Sequence, residues 1–157
     1  MAAPSERLAA LGLELPAVAV PLAAYVPATL STGLVFTSGQ LPTVAGQLVA
    51  RGKVGAEVSL ADAVAAARVA ALNAMAAAAS VTGGLDRIAR VVKVTVFVAS
   101  TPDFSGQPQV ANGASELLGE VFGDAGVHVR SAVGVTVLPL DAPVEVELTV
   151  EPVGVPW

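Results

Sequence analysis

The chain has 157 residues, of which 54% are hydrophobic and 13% charged, with a net charge of −5, no cysteine and one histidine. That length suffices for one domain with a sizeable core, and so few charges imply that part of the apolar surface is buried between protomers. Disulfides, thiol catalysis and cysteine metal sites are excluded, and a lone histidine argues against a histidine-ligated metal or triad. The basic residues Arg87, Arg90 and Lys93 are scattered over an acidic chain, which argues against nucleic acid.

The N-terminal MAAPSERLAALGLELP lacks the basic-then-apolar order of a signal peptide, so a cytoplasmic location is expected. Ser5 to Leu13 reads as a short helix capped by Ser5, and Pro16, Pro21 and Pro27 keep the next segment extended. Leu34 to Gln40 is a short strand. Residues 41–58 carry Pro42, Gly46, Gly52 and Gly55 and read as a loop or hairpin.

Ser59, three residues before Asp62, opens a long helix that runs to Gly83-Gly84. Its small face, Val64, Ala67, Ala71, Met75 and Ala78, suits close packing on a sheet. The segment is mostly alanine and contains Asp62, Arg68 and Asn73, too weakly apolar for a bilayer. Ala89 to Ala99 alternates Val92, Val94, Val96 and Val98 against Val91, Lys93, Thr95 and Phe97, a strand apolar enough on both faces to be central. A second helix lies within 107–122, with Val110, Ala114, Leu117, Leu118 and Val121 facing inward.

Residues 127–151 follow, two alternating runs joined by LPLDAP, which reads as two strands and a turn. The first run presents His128, Arg130, Ala132, Gly134 and Thr136 on one face. Arg130 is the sole basic residue from Val94 to Trp157, a region with eight acids. A guanidinium beside small residues suits an anionic ligand; the alternative is a solvated arginine paired with a nearby glutamate. The second run alternates Val144, Val146, Leu148 and Val150 with Glu145, Glu147, Thr149 and Glu151. The sum is an α+β domain spanning 1–157, with an N-terminal extension over 1–24, a tail over 152–157, and two helices on one face of a mixed, mostly antiparallel sheet.

TSGQLP at 37–42, ARVAALNAM in the long helix, VVKVTVFVAS followed by Asp103-Phe104, and Arg130-Ser131 followed by LPLDAPVEVE together resemble the RidA/YjgF family, also called endoribonuclease L-PSP-like. The resemblance runs from about Tyr25 to Val150. It implies a chorismate-mutase-like fold, a homotrimer with ligand clefts between subunits, and cofactor-free hydrolysis of 2-imino or 2-enamino acids to 2-keto acids and ammonia. It places the carboxylate-gripping arginine on Arg130 and the water-associated glutamate on Glu145. It assigns substrate contacts to Tyr25, Gly39, Asn112 and Ala132, the last through its backbone carbonyl. His128, where the family often has proline, stands beside Arg130 and is a further contact. Ala132 replaces a frequent cysteine.

Each residue also has a plainer role. Glu145 could belong to a solvated strand face, Tyr25 could pack, Gly39 could serve a turn, Asn112 could bond local backbone and His128 could be a half-exposed strand residue. A simple hairpin about 139–142 would set Glu145 opposite Thr136, about six residues and ~20 Å from Arg130 at ~3.3 Å per residue. Only a bent strand, another register or a neighbouring subunit would then unite the two. A non-catalytic binder of small carboxylates is the alternative function, and ribonuclease activity is disfavoured by the charge.

Overall fold

The computed structural model describes residues 1–21 and 23–154. The elements are α1 (Pro4–Ala10), β1 (Ala28–Ser31), β2 (Leu34–Thr37), β3 (Thr43–Val44), β4 (Gln47–Leu48), α2 (Leu60–Thr82), β5 (Ile88–Ala99), α3 (Gln107–Phe122), β6 (Val129–Val135) and β7 (Val144–Pro152). A five-stranded sheet has the order β1-β2-β7-β5-β6, and β3 and β4 form a separate two-stranded ribbon. Within the sheet β5 and β6 are parallel while the other pairs are antiparallel. The mixed sheet with α2 and α3 on one face is the expected fold.

The core lies between sheet and helices. Val94, Val96 and Val98 of β5, with Val144, Val146, Leu148 and Val150 of β7, are buried against α2 and α3. The alanines of α2 let that helix sit low on the strands, and α3 adds Val110, Leu117, Leu118 and Val121. Fully burying such a leucine or valine stabilises by about 1.5–3 kcal/mol. Ser59 caps α2 by accepting from the Asp62 amide at 3.1 Å, and Gly83 ends it at φ 89°. By length and composition α2 could cross a membrane, yet it is the core helix here, with Ala63 to Ala79 largely inside.

Four expectations change. The runs at 127–137 and 144–151 are not a hairpin, because β5 lies between them. The connecting segment instead passes around the end of β5, where the Ser100 amide bonds the Val135 carbonyl and the Ala99 amide bonds the Pro143 carbonyl. Strict alternation in β5 fails near its start, since register shifts between Ile88 and Arg90 and between Val91 and Lys93 turn Val91 into the core. In α1 the cap is Ala3, with Pro4 in the first turn, and Ser5 bonds Asp86 through both its amide and its hydroxyl. Finally, β7 reaches Pro152, one residue into the stretch read as tail; Val155 to Trp157 lie outside the described residues.

Candidate functional site

The sequence-derived residues fall into two groups on opposite faces of the sheet. The first group is built where β6, an edge strand, runs beside the N-terminal half of α3. Arg130 is opposite Val94 in the β5–β6 register, so it shares the helix-facing side with Ala132 and Gly134. Helix α3 can approach closely because Gly113 packs on α2. A Cβ there would stand 2.1 Å from the Val64 carbonyl oxygen. That contact holds the neighbouring Asn112 over β6.

Arg130 Nη1 donates to Asn112 Oδ1 at 2.8 Å and to Ser115 Oγ at 3.2 Å, and Nη2 donates to the Pro108 carbonyl at 3.4 Å. Ser115 Oγ lies 2.9 Å from His128 Nε2, and His128 Nδ1 lies 2.6 Å from the Gly126 carbonyl. That carbonyl accepts only from a protonated Nδ1, so in the neutral ring Nε2 accepts from the serine hydroxyl. A chain of bonds thus runs from the guanidinium through Ser115 and His128 to the backbone. Among the described residues no carboxylate pairs with Arg130. The side chain is exposed, yet three neutral acceptors orient it. The cation is aimed without being neutralised. Ala132 is half-buried two residues further along the same face.

The second group is Glu145, on the face without helices, with Gly39 against it and Tyr25 beyond Gly39. Glu145 is opposite Phe97 of β5, and Gln40 bridges Val146, which brings the chain after β2 alongside. Gly39 lies directly against the Glu145 side chain, where a Cβ would come within 1.9 Å of Oε1. Only glycine admits this approach. Burial, with a smaller contribution from the nearby Glu147 carboxylate, raises the Glu145 pKa above 4.5. Gly39 and the half-exposed Tyr25 line a cavity of about 570 Å³ with the segment from Pro16 to Pro21.

Within one chain Arg130 is separated from Glu145 by β5 and by the thickness of the sheet, so the structure does not bring the two together. It unites Arg130 with Asn112 and His128, and Glu145 with Gly39, while Tyr25 joins Gly39 as a wall of the same cavity. Ser115 was not anticipated. Its position three residues after Asn112 places it on the same helix face, which is the signal that could have found it. The described residues contain no cluster of acidic or histidine side chains suited to a metal ion.

The family model described as "YjgF/chorismate mutase-like, putative endoribonuclease" matches residues 5–151. The chain is 46% identical over 148 residues to Protein TCP17 of Trypanosoma cruzi, covering 92% of this chain and 91% of that protein. Among solved structures it resembles Atu1372 of Agrobacterium tumefaciens, a protein with unknown function, at 43% identity and a TM-score of 0.88, covering 95% and 92% of the two chains. A Shewanella oneidensis protein described as a "putative endoribonuclease" superposes with a TM-score of 0.92 at 37% identity, covering 96% and 99%. The chain belongs to the YjgF (RidA, L-PSP-like) family.

Proposed function

We propose that the protein hydrolyses reactive 2-imino and 2-enamino acids to 2-keto acids and ammonia, in clefts formed between subunits of a homotrimer. The observation that carries this reading is the oriented, unneutralised guanidinium of Arg130. It suits a two-pronged grip on a substrate carboxylate. Glu145 supplies the complementary chemistry. With a pKa raised by burial, its carboxylate takes a proton from water as the oxygen attacks C2, and the π pair moves to nitrogen. The protonated carboxyl returns that proton to nitrogen to give the carbinolamine. The carboxylate then takes the C2 hydroxyl proton as the oxygen pair forms C=O, and passes it to nitrogen as the C–N bond breaks and ammonia leaves. The imine is already electrophilic, so positioning and one activated water suffice.

Because the two groups lie on opposite faces of one sheet, the reading requires a second copy to supply Glu145, Gly39 and Tyr25 to the Arg130 edge. The helix-free face supports such assembly. Phe36, Val129 and Val133 are exposed there, and so are Val127 and Val137 at the ends of β6. RNA cleavage fits poorly, since Glu145 and Glu147 share that face without a basic partner among the described residues and would repel a phosphate backbone. The test is ammonia release from imines generated in situ by an amino-acid oxidase, comparing wild type with Arg130→Ala. Acceleration by the wild type alone is the expected result. Binding of a keto acid without faster ammonia release would instead define a carboxylate-binding protein.

A further inference from the structure

The cavity beside Gly39 is much larger than the reaction requires. About 570 Å³ is within the range of sites that enclose a whole drug-sized ligand, whereas the methyl or ethyl group of a small imino acid would leave most of it unused. Its walls are largely apolar, including Pro16, Val18 and Pro21 from the N-terminal segment together with Leu41 and Leu140.

One wall carries a polar group that the fold has oriented. Asn73 is 7% exposed and interrupts the alanine face of α2. Its Nδ2 donates to the carbonyls of Leu41 at 2.9 Å and Thr43 at 3.0 Å, which fixes the amide's orientation. Oδ1 has no donor among the described residues, and the residue lines the cavity. Gln40, 6% exposed on the same cavity, directs Nε2 to the Ser38 carbonyl and likewise leaves Oε1 without a donor among the described residues. Two unpaired acceptors, on residues otherwise nearly buried in the wall of an apolar hollow, match a ligand that is apolar in body and carries a hydrogen-bond donor.

We infer that this cavity receives the substrate's side chain, and that the side chain is of aromatic size with a donor such as an indole N–H or a phenol hydroxyl. The inference rests on the imine-hydrolase reading for the position of C2, near Gly39 and Glu145. The N-terminal segment then sets specificity, since six consecutive residues, Pro16 to Pro21, line the cavity.

The test measures calorimetric binding of indole-3-pyruvate and pyruvate, together with ammonia release from the imines of tryptophan and alanine. Wild type, Val18→Trp and Ala17→Trp are compared, the second variant being an independent plug from the same segment. Wild type should bind indole-3-pyruvate about tenfold or more tightly than pyruvate, and both plugs should remove that preference while pyruvate affinity stays within about twofold. Retained pyruvate binding also reports an intact fold. Equal affinity for the two acids, or plugs that weaken both alike, would overturn the inference. If the binding preference appears without faster ammonia release, the cavity assignment stands and the hydrolase reading fails. Fast alanine-imine hydrolysis without any size preference would leave the hydrolase reading standing and overturn the cavity assignment.

Discussion

The α3–β6 edge and the Gly39–Glu145 face handle charge in contrasting ways. At the edge a permanent cation is exposed and surrounded by neutral acceptors, Asn112, Ser115 and the Pro108 carbonyl, so its charge stays available. On the opposite face a carboxylate is half-buried beside a second carboxylate, so its charge is made costly and its proton affinity rises. The first arrangement suits binding an anion and the second suits moving a proton. Neither is a complete site. The contrast teaches that the labour of the proposed reaction is divided between surfaces that one chain keeps apart.

Removing the proton-handling group should have the largest effect. Glu145→Gln should lower kcat by about 10²–10⁴, the usual contribution of general acid–base catalysis, with the fold intact by circular dichroism. The acid limb of the wild-type pH–rate profile should lie above the ordinary glutamate value of 4.5, because rate requires the ionised carboxylate. Glu147→Gln removes the neighbouring charge and should move that limb to lower pH. Stability changes in the matching sense. The folded state binds the Glu145 proton more tightly than the unfolded chain does, so wild type loses stability as pH rises from 4.5 through the folded pKa. The Tm of Glu145→Gln should therefore exceed that of wild type at neutral pH and converge with it at acidic pH.

Arg130→Ala comes next. It should reduce kcat/KM by about 10²-fold, mainly through KM, since a charge-assisted two-pronged contact to the carboxylate is lost. Gly39→Ala sharpens the other side of the contrast. The added Cβ displaces the Glu145 carboxyl, so activity should fall by about tenfold or more although no ionisable group is removed. Ser115→Ala should have the smallest effect, a few-fold rise in KM, because Asn112 and Pro108 still orient the guanidinium. A Ser115→Ala loss as large as that of Arg130→Ala would erase the distinction between gripping and supporting residues.

Elements written in local periodicity were legible. Helix α2, with its serine cap and glycine end, helix α3 with its inward stripe, and the central place of β5 all follow from spacing and composition. The partnership of β6 was not, because an alternating run with a Pro-containing connection fits a hairpin as well as a crossover around a third strand. Parallel pairing of β5 and β6 is decided by α3 returning the chain across the sheet. The site was legible as residue types but not as an arrangement. Arg130 and Asn112 prove to be bonded to each other, a contact the sequence did not specify, whereas Ser115 was hidden as an ordinary mid-helix serine and Asn73 as a lone polar residue among alanines. Both bond segments distant in sequence, and although the spacing of Asn112 and Ser115 marks a shared helix face, no local pattern names the partner it meets.

The claim beneath all of this is that one subunit's Arg130 works with another's Glu145. Co-expressing Arg130→Ala with Glu145→Gln and assaying imine hydrolysis tests it most directly, because mixed assemblies of the proposed homotrimer would contain some clefts with both groups intact. Random mixing in equal amounts should restore activity to about one quarter of wild type, well above either variant alone. Activity no higher than that of the separate variants, from a preparation shown to be mixed, would contradict it.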